Sequence, residues 1–148
     1  MTIKLLGLVL IFFAIPCISS GKDKCTKGSE FIPPLCPLRL EKISTIQIEE
    51  NGARTNVSLK ERIDCSSFKL DAKKVRIFFS RAKVVDELAA LHTLDASLCD
   101  ASGTLKFASG KKAHWTIGHL QEGWLYIEEN NSSMTLYCPA CKFKPFIY

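Results

Sequence analysis

Apolar residues recur along this chain with two different periods, and the period changes near the middle. In "LDAKKVRIFFSRAKVVDELAA", Val75, Phe78, Phe79, Ala82 and Val85 fall at helical spacing and form one stripe. Asp71 stands where a side-chain oxygen can accept from free backbone N–H groups, so the spacing predicts one long helix from Asp71 onward. Further on, "SGTLKF", "KAHWTIGHL", "GWLYIEE" and "MTLYC" are short β-rich runs with short polar links between them. Such links suit an antiparallel meander.

Before the helix, "ISTIQIEENGARTNVSL" alternates on both sides of Asn51-Gly52, with Ile46 and Ile48 on one flank and Thr55, Val57 and Leu59 on the other. Asn-Gly suits the positive φ of a tight turn, which predicts a β-hairpin. Residues 21–37 are rich in Gly, Pro and Lys and read as an irregular N-terminal arm. The expected fold class is therefore α+β: one main helix packed on an antiparallel β-meander, with an additional N-terminal hairpin, stabilised by disulfides. The expected organisation is a leader over 1–20 and a single domain over 21–148.

The leader follows from a third pattern. "MTIKLLGLVLIFFAIPCISS" has one positive charge at Lys4, an apolar run from Leu5 to Ile15, Pro16 and then small residues. That is the layout of a secretory signal peptide cleaved after Ser19 or Ser20. The run is shorter than the ~20 apolar residues needed to span a bilayer, so no membrane anchor is expected to remain. Composition changes this picture little. Loss of Lys4 lowers the formal net charge of +5 by one, leaving a mildly basic chain. Such a charge favours a protein partner with an acidic surface. Nucleic acid is not expected, since no helix-turn-helix, finger or RNP-like pattern is present.

Cysteine usage points to an oxidising compartment. Cys17 leaves with the leader, and six cysteines remain, an even number in a small exported chain. The most economical pairing is Cys25–Cys36, Cys65–Cys99 and Cys138–Cys141. A redox role for Cys138-Pro139-Ala140-Cys141 would need a helix N-terminus to stabilise the thiolate, and Pro145 stands in the way of one. The same spacing resembles one knuckle of a zinc ribbon. The alternative reading is thus a zinc site assembled from Cys65, Cys99, Cys138 and Cys141; otherwise no cofactor is expected.

Other candidate chemistry is sparse. His114 and His119 are five residues apart and face opposite sides of a continuous strand. No nucleophile elbow, zincin helix or phosphate loop occurs, so no catalytic residue is assigned. Two surface features remain as a partner-binding set. One is the basic group Lys73, Lys74, Arg76, Arg81 and Lys83; the other is the aromatic group Trp115, Trp124 and Tyr126. Trp124 and Tyr126 share one face of their strand, and aromatics on an open face suit protein or sugar recognition. The leading functional expectation is an exported, bacterial periplasmic or extracellular, binding protein. In its concrete form it is an inhibitor or immunity-type protein that occupies a hydrolase or toxin. The alternatives are a small secreted enzyme or zinc domain at the four cysteines, and a structural envelope protein.

Overall fold

Along Cys99–Phe107 every second residue is buried and every other one reaches solvent. The same alternation governs residues 112–117 of the strand Lys112–Gly118. These two strands lie at the centre of a computed structural model that describes residues 24–56 and 63–147. The expected leader over 1–20, the start of the arm, and Val57 and Leu59 lie outside the described residues.

Seven strands form one antiparallel sheet: β1 (Cys36–Pro37), β2 (Ile43–Arg54), β3 (Lys83–Val85), β4 (Cys99–Phe107), β5 (Lys112–Gly118), β6 (Glu122–Ile127) and β7 (Ser132–Tyr137). Their order across the sheet is β1-β3-β7-β6-β5-β4-β2. One face carries the core: Ala101, Leu105 and Phe107 from β4, Ala113, Trp115 and Ile117 from β5, Leu125 from β6 and Leu136 from β7. Helix α1 (Ala72–Arg81) covers that face with Val75, Phe78 and Phe79. Its seating depends on Gly123, where a Cβ would stand 2.8 Å from Phe78 Cζ. The C-terminal tail completes the layer, with the Phe146 ring stacked 6.0 Å from that of Phe78.

The architecture is therefore mostly a seven-stranded antiparallel sheet with two short helices. It is not one main helix packed on a β-meander with an added hairpin, and each departure has a physical cause. The helical stripe does not run through as one helix: α1 stops at Arg81, and Lys83–Val85 becomes β3, paired with β7 and β1. A second helix, α2 (Glu87–Thr93), then starts on Asp86, whose carboxylate accepts from the Ala89 N–H at 3.0 Å. Val84 and Val85 are β-branched and favour the pleated strand, and Asp86 is better placed as a cap than inside a helix.

The Asn51-Gly52 turn is likewise replaced. β2 runs straight through it as a single strand against β4, with a register shift between Asn51 and Ala53. Gly52 does take a positive φ of 71°, but for a bulge beneath the backbone of Cys65, whose carbonyl oxygen a Cβ would strike. Asn51 stabilises the bulge by bonding both backbone groups of Leu70, accepting at 2.9 Å and donating at 2.8 Å.

Three disulfides close Cys25 to Cys36, Cys65 to Cys99 and Cys138 to Cys141. They fit a protein exported to an oxidising environment. Among the described residues no helix is long and apolar enough to cross a membrane.

Candidate functional site

α1 and the core occupy one face of the sheet, and the strand register dictates what stands on the other. His114 lies opposite Tyr126 and Thr104, and Thr116 lies opposite Trp124 and Ser102. Thr135 and Ser133 continue these two rows onto β7. Directly paired residues share a face, so this side is a platform of hydroxyls, one imidazole and two aromatic rings. α2 bounds it: Val85, in the row of Thr135, is buried although it belongs to this side. Beside the platform, Leu91 and Leu94 of the α2 segment line a groove of about 340 Å³ with Glu122, Gly123 and Thr135.

The rings at the centre are ordered by each other. Trp124 and Tyr126 stand two residues apart on β6, with centroids 5.8 Å apart and planes within 4° of parallel. The Tyr126 hydroxyl donates to Asn131 Oδ1 at 2.7 Å. His114 Nε2 lies 2.8 Å from Glu128 Oε1. Trp124 is nonetheless 41 % exposed, a large apolar surface left in water on a sheet whose other face is filled.

One more cross-strand row completes the site. Asp100 pairs with Gly118, and the register of Ile117 with Gly123 carries that row on to Glu122. Asp100 and Glu122 thus flank a glycine. A Cβ at Gly118 would run into Ser97 Oγ and Glu122 Oε1, so the missing side chain is what makes room for this carboxylate. Together with Thr55, Ser97, Thr116, Gly123 and Trp124 they line a pocket of about 160 Å³. Ser97 forms a firm wall: its N–H donates to Glu122 Oε1 at 2.7 Å, its hydroxyl accepts from Leu120 N–H at 2.9 Å, and its carbonyl accepts from Thr55 at 2.8 Å. Glu122 Oε2 is buried with no hydrogen-bond partner among the described residues. Burial, and then the charges of Glu50 and Glu122, push the Asp100 carboxyl above the usual carboxylate range.

The C-terminal disulfide takes part in this arrangement. Cys138 and Cys141 are fully buried, and the carbonyl of Cys141 accepts from Gln121 Nε2 at 2.9 Å. Gln121, held at a positive φ of 74°, in turn accepts from Cys138 N–H at 2.9 Å. The staple therefore anchors the turn that delivers Glu122. These bonds also correct the zinc alternative at Cys65, Cys99, Cys138 and Cys141. The four sulfurs close two separate disulfides, and a bonded sulfur is not the thiolate a tetrahedral site uses. A secreted enzyme centred on those cysteines loses its centre for the same reason.

The structure divides the expected partner-binding set. Trp115 is 1 % exposed, with its indole N–H donating to the Thr104 carbonyl at 3.1 Å, so it is core and not surface. Trp124 and Tyr126 stand on the open face, on the opposite side of the sheet from α1. Of the basic residues, Arg76 donates to the Ile43 carbonyl at 2.7 Å, and Arg81 donates to the Ala140 carbonyl at 3.3 Å while its guanidinium sits 6.0 Å from the Phe143 ring centroid. Lys74 pairs with its own cap, Asp71, at 3.1 Å. Lys73 and Lys83 remain exposed. Sequence reasoning missed Asp100, Gly118 and Glu122, because only the strand register brings them together. Comparison with protein-family models, with curated proteins and with solved structures gives no match.

Proposed function

We propose that this chain is an exported binding protein of inhibitor or immunity type, which acts by occupying a hydrolase or toxin in the bacterial periplasm or outside the cell. The observation that carries the reading is the exposed Trp124–Tyr126 stack on the uncovered face of a disulfide-stapled sheet. Rigid aromatics bury much area at little conformational cost, which is why they dominate protein interfaces. Leu88 and Leu91 of α2, 64 % and 72 % exposed, extend apolar surface away from the stack. A double variant Trp124→Ala/Tyr126→Ala tests the reading, because neither ring is part of the core. Immobilised protein should retain one envelope protein in stoichiometric amount, and the variant should lose it while keeping its Tm. Equal retention by the variant would remove the open face as the partner surface.

A second reading, an acidic partner on the α1 side, is favoured by exposed Lys73. Lys73→Glu separates the two, because Lys83 lies on the open face, in the row of Tyr137 and Glu122. Loss of the partner in this variant alone would transfer the interface to α1.

A further inference from the structure

The turn between β6 and β7 carries a chemical signal that the core does not need. Its sequence, Glu128-Glu129-Asn130-Asn131-Ser132-Ser133, holds two overlapping triplets, Asn130-Asn131-Ser132 and Asn131-Ser132-Ser133. Asn-Xaa-Ser is the acceptor signal for an N-linked glycan in an exported chain, and it belongs on a surface loop. Both asparagines are exposed. The turn is nonetheless tied down, with Glu129 3.4 Å from Lys111 Nζ and Glu128 2.8 Å from His114 Nε2. The two carboxamides differ in what they meet. Asn130 Oδ1 accepts from both the N–H and the hydroxyl of Ser132, at 3.2 and 2.7 Å, so the serine that completes its triplet is already on it. Asn131 stands in the left-handed region at φ 50°, and its Oδ1 accepts from the Tyr126 hydroxyl at 2.7 Å. Ser133, which completes the second triplet, is paired with Tyr126 across the strands.

We propose that Asn130 is the acceptor of an N-linked glycan, an inference that rests on the chain being exported. The bond that forms joins Asn130 Nδ2 to the anomeric carbon of an oligosaccharide carried on a lipid diphosphate. The bond that breaks is the one from that carbon to the diphosphate, which leaves, and Nδ2 gives up one proton. A carboxamide nitrogen is a poor nucleophile, because its lone pair is shared with the carbonyl. Donors on Oδ1 stabilise the negative charge that gathers there as the proton departs, and Asn130 has two of them. The bacterial form of the signal adds an acidic residue two positions ahead, and Glu128 occupies that place. The strand register sets this turn at the Ala113 end of β5, whereas the α2 groove opens beside Gly123 at the other end of β6. A glycan on Asn130 therefore leaves that groove clear.

The test takes the whole chain, recovered from its own source organism, and reads its intact mass. Electron-transfer fragmentation of the peptide holding residues 128–133 then places any added sugar on one side chain. The mass of the N-terminal peptide reports removal of the leader separately. The expected result is a mature chain that carries one oligosaccharide, on Asn130. Asn130→Gln and Ser132→Ala should each abolish the mass increment. Asn131→Gln and Ser133→Ala keep the first triplet and should retain it. An unchanged Tm across the four variants shows that lost folding is not the cause. A mature chain of bare mass, sugar on Asn131, sugar only at Asn56 in the triplet Asn56-Val57-Ser58, or an increment that survives Asn130→Gln overturns the proposal. Each of these leaves the export reading standing. A chain that still carries residues 1–20 overturns export, and the proposal falls with it.

Discussion

Two tryptophans in neighbouring strands show how far a single residue's role depends on the face it occupies. Trp115 is enclosed by the core and Trp124 stands in water, although each lies in an alternating β-rich run. Trp115→Ala should cost about 3–5 kcal/mol of unfolding free energy, and Trp124→Ala less than about 1 kcal/mol, measured by urea denaturation. Asp100 gives a second residue-scale prediction. Its carboxyl is raised by burial first and then by Glu50 and Glu122, so the native state bears an unfavourable charge at neutral pH. A raised native pKa contributes stability at low pH that is lost as pH rises through it. Asp100→Asn should therefore raise Tm at pH 7, by about 2 °C after allowance for solvent screening at this partly exposed site. The gain should vanish below about pH 4, where the carboxyl is protonated in both states. None of this was legible in the sequence, because Asp100 and Glu122 lie on strands separated by a third.

Strands and helices were legible where a pattern had one structural outcome, and obscure where it had two. The alternation in β4 to β7 marks strands of a half-buried sheet, and each stands as one. Asn51-Gly52 is the ambiguous case, since a type I′ turn and a bulge both call for a residue at positive φ. The choice was made by Cys65 and Leu70, which no local window contains. Gly52→Ala should cost more than about 1 kcal/mol, because the added methyl meets both an unfavourable φ and the Cys65 carbonyl. The stripe from Val75 to Val85 was misleading in another way. All five of its residues are buried, yet Val85 is buried from a strand and on the other side of the sheet. The break was signalled by Val84-Val85-Asp86, and Asp86→Ala should cost about 1 kcal/mol by removing the α2 cap. β2 raises an edge problem that its sequence answers: it is a long outer strand, but it carries three register shifts and the adjacent Glu49 and Glu50. Bulges and charges of this kind discourage pairing with another chain.

At the scale of the whole molecule, three disulfides act over very different lengths. The Cys65–Cys99 bridge spans 34 positions and the Cys138–Cys141 bridge spans three. In the chain-entropy picture, removing the first should cost about 4 kcal/mol and removing the second about 2 kcal/mol. Paired alanine substitutions followed by chemical denaturation check the order. The smaller loss should be accompanied by the larger change at the pocket, because Cys141 holds Gln121 beside Glu122.

The strand order has a consequence for when the sheet can close during synthesis. β3 is made early, but its main neighbour is β7, which is inserted between β3 and β6. Until Ser132–Tyr137 has been synthesised, Lys83–Val85 has no sheet to join except the two residues of β1. A nascent chain lacking β7 therefore cannot join β3 and β1 to β6, and the sheet is completed only once Ser132–Tyr137 has been made.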